Sequence, residues 1–372
     1  MKQGWTYNKL GDICKLYQPH TISSKEMVDD GKYDVFGANG IIGKYNQYNH
    51  EEPEILMTCR GATCGNINVS TPKSWINGNA MVVHIKDEKT LNKSFLIYIL
   101  SHIDKTHIIT GAAQPQITRQ TLSPLMIGYP TLPEQERIVE RLDAAFAQID
   151  ELKSNAERQL AEARALFQSA LTQAMQPKPG WDRKPLQELC LKRKIIKWEE
   201  VDDNVNFTYI DLSSVDRESL NIIGPQKINK NNAPSRAKQI VQMGDVIFAT
   251  TRPTLRRLCL ISKEFNNQIC STGYCVLRPN CAILSKWIYY SLQQDSFYHY
   301  IEPLQTGTSY PAVTDDMVKD YIVNLPTISV QSDIVSFLDQ IDIHLKEIEE
   351  INRKTAAECD AMKQALLRQI FE

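Results

Sequence analysis

The sequence predicts an α+β chain in which two mixed α/β domains are separated by two long helices, packed as an antiparallel coiled coil with internal pseudo-twofold symmetry. Three observations predict it. Residues 110–176 recur at 306–372 with a constant offset of 196 and no gap. Thr110, Gly111, Pro115 and Thr118 fall on Thr306, Gly307, Pro311 and Thr314, and Gln135, Leu142 and Asp143 fall on Gln331, Leu338 and Asp339. A unit of this length exceeds the roughly 20–50 residues of a solenoid module and points to a duplicated architecture. Both copies also carry an apolar stripe at seven-residue spacing in the same register. Finally, charge alternates along the chain. The formal net charge of −2 hides thirteen Lys+Arg against eleven Asp+Glu in residues 1–128, and five against eight in 129–176. Residues 177–305 carry eighteen against thirteen, and 306–372 six against twelve. The variable domains are basic and the repeated segments acidic.

The first domain, residues 1–130, shows strand candidates at 55–58 and 80–85 and a short helix at 93–101. Residues 131–176 read as a spacer helix. Thr131 stands three residues before Glu134 with Pro133 in the first turn, a helix-start pattern that predicts a side-chain cap. Leu142, Ile149, Ala156, Ala163 and Ala170 then recur at heptad spacing, with Ala145, Leu152 and Leu166 on the alternate row. About 40 helical residues at ~1.5 Å each make a rod of about 60 Å. Pro177 and Pro179 stop it, because proline cannot continue the hydrogen-bond ladder.

The second domain, residues 177–326, has strand candidates at 245–249, 259–261 and 274–277 and a helix at 286–293. Gly4, Trp5, Leu10 and Cys14 are echoed by Gly180, Trp181, Leu186 and Cys190. Likewise Phe95, Leu96, Tyr98 and Leu100 are echoed by Trp287, Ile288, Tyr290 and Leu292. The second spacer helix, residues 327–372, repeats the stripe through Leu338, Ile341, Leu345 and Ile348. Two stripes in one register predict that the helices pack on each other, small residues of the first facing larger ones of the second.

Catalytic patterns are missing. Gly37 to Tyr45 resembles a phosphate-binding loop, but its spacing is one residue too long and Tyr45 replaces the hydroxyl that would hold Mg²⁺. There is no HExxH, GxSxG, dinucleotide fingerprint or amino-methyltransferase Pro-Pro motif. Asp87, Glu88 and Lys89 suggest a nuclease triplet, a pattern more often found as solvated surface. Cys259, Cys270, Cys275 and Cys281 make a zinc cluster conceivable, yet lack the tighter ligand pairs usual for zinc, so no metal is expected. No apolar run approaches the ~18 residues of a membrane span, and Met1 to Trp5 lacks a signal peptide's apolar stretch, so a cytoplasmic location without membrane contact is the default expectation.

The loops carry recognition chemistry. Thr250, Thr251 and Arg252, followed by Arg256 and Arg257, put arginines and hydroxyls beside a strand end, where they suit base edges or phosphates. Arg60 through Thr63 is expected in the corresponding place of the first domain, flanked by Asn39, Lys44 and Asn66. Gln114 and Gln116 supply the donor–acceptor pair that reads adenine, and Thr272, Thr308 and Ser309 complete the candidate DNA-binding set.

Leu132 to Asp143 resembles the start of the repeated helix of type I restriction-modification specificity subunits. Thr110 to Ile117 resembles that family's domain-closing segment, and Val246 to Pro253 with Ser271 to Leu277 is similar to its target-recognition core. The second copy departs at Ser329 and Val330, where the first has Pro133 and Glu134, and at Tyr310, where the first has Gln114. The resemblance implies a non-catalytic subunit with two target-recognition domains, each reading half of a bipartite site in double-stranded DNA. The helices would act as ruler and docking surface for two modification subunits, which methylate adenine with S-adenosylmethionine, and two restriction subunits using ATP and Mg²⁺. No cofactor is expected on this chain. Duplicated readers on a rigid spacer suit half-sites about one DNA turn apart, roughly 34 Å. The competing expectation is a coiled-coil scaffold with two ligand-binding domains and no DNA specificity.

Overall fold

The computed structural model describes residues 2–111 and 114–372. The chain forms two compact units, residues 1–157 with 352–372, and residues 158–351. Each long helix, Leu132–Ala174 and Ile328–Phe371, contributes one part to each unit.

In unit 1 a four-stranded antiparallel sheet is ordered Cys14–Tyr17, Ala80–Ile85, Ile55–Thr58, Ile67–Val69. Its central strands are apolar except at Thr58 and the exposed His84, because both faces are covered along most of their length. Successive side chains alternate between faces. Ile55, Met57, Met81 and Val83 therefore enter the main core with Phe95 and Leu96 of helix Lys93–His102, while Leu56, Ala80 and Val82 meet Phe36 and Ile76 of a second sheet. That second sheet runs Gly40–Tyr45, Tyr33–Gly37, Trp75–Ile76, its last pair parallel. Thr6–Lys9 pairs with Met126–Tyr129 and closes the domain onto its long helix.

Unit 2 repeats the frame. Cys190–Leu191, Tyr274–Pro279, Val246–Ala249 and Leu258–Leu260 form its four-stranded sheet, and Asp182–Pro185 pairs with Ile322–Leu325. Again the alternation splits two cores: Val246, Phe248, Cys275 and Leu277 on one side, Ile247, Ala249, Tyr274 and Val276 on the other. Its second sheet is larger, with five strands ordered Lys194–Ile195, Ala237–Val241, Gln268–Ser271, Phe207–Ile210, Gln226–Ile228. The weak echo between the halves is structural: Leu10 and Leu186 are both fully buried, and Trp5 meets Phe95 at 5.9 Å as Trp181 meets Trp287 at 5.8 Å.

Within each unit the two long helices run antiparallel. In unit 1 Asp150 pairs with Lys363 at 2.6 Å and Lys153 with Asp360 at 3.2 Å, partner numbers falling as the first rise. In unit 2 Arg164 meets Glu349 at 2.9 Å, while Phe167 and Leu171 share a core with Val335 and Leu338. Leu142, Ile149 and Leu338 are buried and Ile341, Leu345 and Ile348 half-buried, as a packed seam requires. Leu152 and Leu166 correct the expected register: they are 54% and 68% exposed. The second row lies four residues after the first rather than three, through Phe146, Lys153, Leu160, Phe167 and Ala174, none of them exposed. A seven-residue repeat permits either step. Lys153 tolerates the seam because its apolar stem packs while its ammonium reaches Asp360 at the edge. Glu134 is a second correction. It binds Arg137 at 2.7 and 2.9 Å, and the backbone carbonyl of Thr131 opens the helix by accepting from the amides of Glu134 and Gln135.

Candidate nucleic-acid interface

In each unit the end of a central strand is stitched to a short glycine-bearing loop from the repeated segment. In unit 1 the Ile117 amide donates to the Cys59 carbonyl at 2.9 Å, the Gly61 amide donates to Pro115 at 3.0 Å, and Thr110 and Gln116 exchange two backbone bonds. In unit 2 Val313 donates to Thr250 at 2.9 Å, Arg252 to Pro311 at 2.6 Å, and Thr306 and Ala312 exchange two. Gly111 and Gly307 sit at φ +87° and +92°, the left-handed region that glycine enters without steric cost. A Cβ on Gly111 would also lie 2.5 Å from the Gln114 carbonyl.

These bonds set the correspondence between the readers. Bridges join Arg60 to Gln116 and Thr251 to Ala312, so Arg60 answers to Thr251 and Gly61 to Arg252. The segment from Arg60 to Thr63 thus stands in the corresponding place, and the hydrogen bonds rather than the residue types determine its register.

In unit 1, Arg60, Thr63, Asn66, Gln114 and Gln116 gather exposed around this stitched loop. Asn39 lies on the hairpin turn between strands 33–37 and 40–45 and accepts from Asn68 at 3.5 Å, while Lys44 faces Asp34 at 3.9 Å. Gly37 to Tyr45 is that hairpin and not a phosphate loop. Asp87 accepts from the Lys89 amide and the Thr90 hydroxyl, which closes a turn at the suggested nuclease triplet.

In unit 2, Thr251, Arg252, Thr272, Thr308 and Ser309 lie on the accessible rim, all exposed except the half-buried Thr251. Three expected contacts move elsewhere. Thr250 is 7% exposed and its hydroxyl donates to the Gly273 carbonyl at 2.9 Å, so it ties two strand ends together. Arg256 donates to Asp295 at 2.8 Å, stacks 4.1 Å from the Tyr298 ring and lines a cleft of about 210 Å³ beside Arg164 and Phe167. Arg257 is half-buried, with its Nε shielded from solvent.

Arg252 and Arg256 bracket the turn Pro253–Leu255, both in left-handed backbone at φ +50° and +56°. That conformation costs a non-glycine residue about 1–2 kcal/mol. Arg256 meets a carboxylate there; Arg252 meets none among the described residues. Instead its guanidinium lies 4.7 Å from the ring of Tyr310, which is 69% exposed, and donates to the Ser309 carbonyl at 3.3 Å.

Sequence reasoning gave no role to Tyr310 or to the residues that anchor the readers. Gln135 is fully buried: its amide donates to the carbonyls of Thr90 and Pro130 at 2.9 Å, and its oxygen accepts from the Asn92 amide at 2.8 Å. Gln331 repeats this with Ala282, Pro326 and Leu284 at 2.9–3.0 Å. Eight residues on, roughly 12 Å along the helix, Asp143 accepts from the Tyr98 hydroxyl and Asp339 from Tyr290. Each reader is thus clamped to its helix at two points. Identity of the glutamine and aspartate in both copies was the available signal.

The cysteines are free, and burial pushes the thiols of Cys59 and Cys259 up to about 11 and about 12. Among the described residues no three His, Cys, Asp or Glu side chains could hold a metal ion, and no helix is long and apolar enough to cross a membrane.

Comparison with known proteins agrees with this duplicated frame. A family model described as the type I restriction modification DNA specificity domain matches residues 2–162 and again 178–358. The EcoDI specificity subunit of Escherichia coli is 20% identical in an alignment covering 99% of this chain and 88% of that protein. The HindI specificity subunit of Haemophilus influenzae is 24% identical over 38% of this chain and 31% of that protein. A putative specificity subunit of Mycoplasma pneumoniae is 25% identical over 37% of this chain, so the match spans less than half, 46%, of that relative's length. A structure solved for assembly and conformational transition of the type I R-M system superposes with TM-score 0.75 at 19% identity, covering 100% of this chain and 98% of that one. The HsdS subunit of Thermoanaerobacter tengcongensis gives 0.51 at 19% identity, covering 100% and 97%. With its family model matched once in each half, the chain belongs to the type I restriction modification DNA specificity family.

Proposed function

We propose that this chain confers sequence specificity on a type I restriction-modification complex by reading a bipartite DNA site, one half with each unit. The stitched loop pair supports this reading best: an identical backbone frame carries exposed Arg60, Gln114 and Gln116 in unit 1, and Arg252, Thr308 and Ser309 in unit 2. One frame with two sets of donors suits two different half-sites. The chain itself performs no chemistry. Two modification subunits supply adenine methylation with S-adenosylmethionine, and two restriction subunits supply ATP- and Mg²⁺-dependent cleavage. The acidic helices suit protein partners better than DNA, and the complex works in the cytoplasm.

The test is binding of duplex DNA by the chain assembled with its modification subunit, across a salt series. Neutralised phosphates give a steep linear fall of log affinity with log salt. A selected bipartite sequence with that slope is the expected result. Retention that ignores both sequence and salt would favour the scaffold reading.

A further inference from the structure

The two readers differ most sharply at one backbone position. Gly61 in unit 1 and Arg252 in unit 2 make the same bond to the proline carbonyl of the stitched loop, and both lie at positive φ, +87° and +50°. Glycine is the unstrained residue there, and a Cβ on Gly61 would meet nothing within 4 Å. Unit 2 keeps an arginine in spite of the strain. A non-glycine residue held in left-handed backbone points to a use for its side chain.

The surroundings indicate the use. The Arg252 guanidinium lies over the exposed ring of Tyr310 at 4.7 Å, and one terminal nitrogen is held by the Ser309 carbonyl at 3.3 Å. The ring and the carbonyl together restrict the guanidinium, and the carbonyl occupies only part of its five-donor fork. The group left over offers donors alone. In the major groove guanine presents two acceptors side by side, O6 and N7, whereas adenine pairs its acceptor with a donor.

We propose that Arg252 and Tyr310 form a preset platform with which unit 2 reads one guanine of its half-site. This rests on the reading of the chain as a bipartite DNA reader. Tyr310 is a positioning residue, restricting Arg252. Unit 1 has no side chain at Gly61 and reads its half-site by other means.

The experiment uses the full chain assembled with its modification subunit and a pool of randomised duplex DNA, with methylated products sequenced. Arg252→Gly should melt no lower than the parent, because it removes backbone strain. Preference for guanine should fall about tenfold or more at one position of one half-site, the range of a lost bidentate contact. The other half-site should be unchanged. Arg252→Lys should keep part of the preference, since an ammonium still donates to O6 and N7 but without the planar fork, and Tyr310→Leu should lose part of it. Retained guanine preference in Arg252→Gly would overturn the proposal. So would uniform weakening across all sequences with a shallower salt slope, the mark of a phosphate contact, or a lowered melting temperature, the mark of a structural arginine. A parent complex that selects no bipartite site would overturn the DNA-reader reading itself, and the platform with it.

Discussion

Unit 1 and unit 2 share their hydrogen bonds and differ in their side chains. The four-stranded sheet, the closing strand pair, the stitched loop and the two-point clamp occur in both, down to the three bonds of Gln135 and Gln331. The second sheet does not follow this rule, with three strands in one unit and five in the other. Backbone bonds are indifferent to most side chains, so a frame built from them is free to carry Arg60 and Gly61 in one copy and Thr251 and Arg252 in the other. The frame holds a reading surface in place, and the surface is replaceable.

The comparison can be broken at an ion pair buried in unit 2. In unit 2 Arg278 grips Asp245 with bonds of 2.9 and 2.7 Å, their side chains 9% and 1% exposed. Among the described residues no other ion pair is buried on both sides. Asp245→Ala leaves a buried unpaired guanidinium, which costs about 3–5 kcal/mol. In urea denaturation of the full chain the unit 2 transition should shift to lower denaturant while unit 1 keeps its midpoint. A common shift of both would mean that the units unfold as one.

The clamps should instead behave alike. Gln135→Ala and Gln331→Ala each strand buried backbone groups at about 1–3 kcal/mol apiece, and the two variants should cost the same, with the double variant the sum of the two to within about 0.5 kcal/mol. Unequal losses, measured by the same denaturation, would show that one clamp carries more of its reader than the other. The smallest effect belongs to the seam. Double-mutant cycles on Lys153 with Asp360 and on Arg164 with Glu349 should each give a coupling of about 0.2–1 kcal/mol, fading in 1 M salt, because every partner is at least a quarter exposed. A salt-insensitive coupling would place these pairs in the core.

Much of this frame was legible along the chain. Strands at 55–58 and 80–85 announced themselves as apolar runs, and the long helix by its heptads and closing prolines. The second sheets were harder. Strands such as Gly40–Tyr45 and Gln226–Ile228 are exposed or half-buried at most positions, so their apolar signal is diluted. The candidate interface was legible in kind and not in place. Thr250, Arg256 and Arg257 have the same residue types as the rim residues, yet they face Gly273, Asp295 and the interior.

The sequence by itself determined the duplication, the helix register to within one step, and the separation of basic readers from acidic spacers. These are carried by periodicity and composition, which survive without knowledge of contacts. Tertiary structure decided whether the seam's second row stood three or four residues from the first, which glutamines became clamps, and that Arg252 takes the place of Gly61 of unit 1. Each of those depends on which backbone group lies across the gap, and chain neighbours do not specify that partner. Only the folded sheets and loops bring it within hydrogen-bond reach.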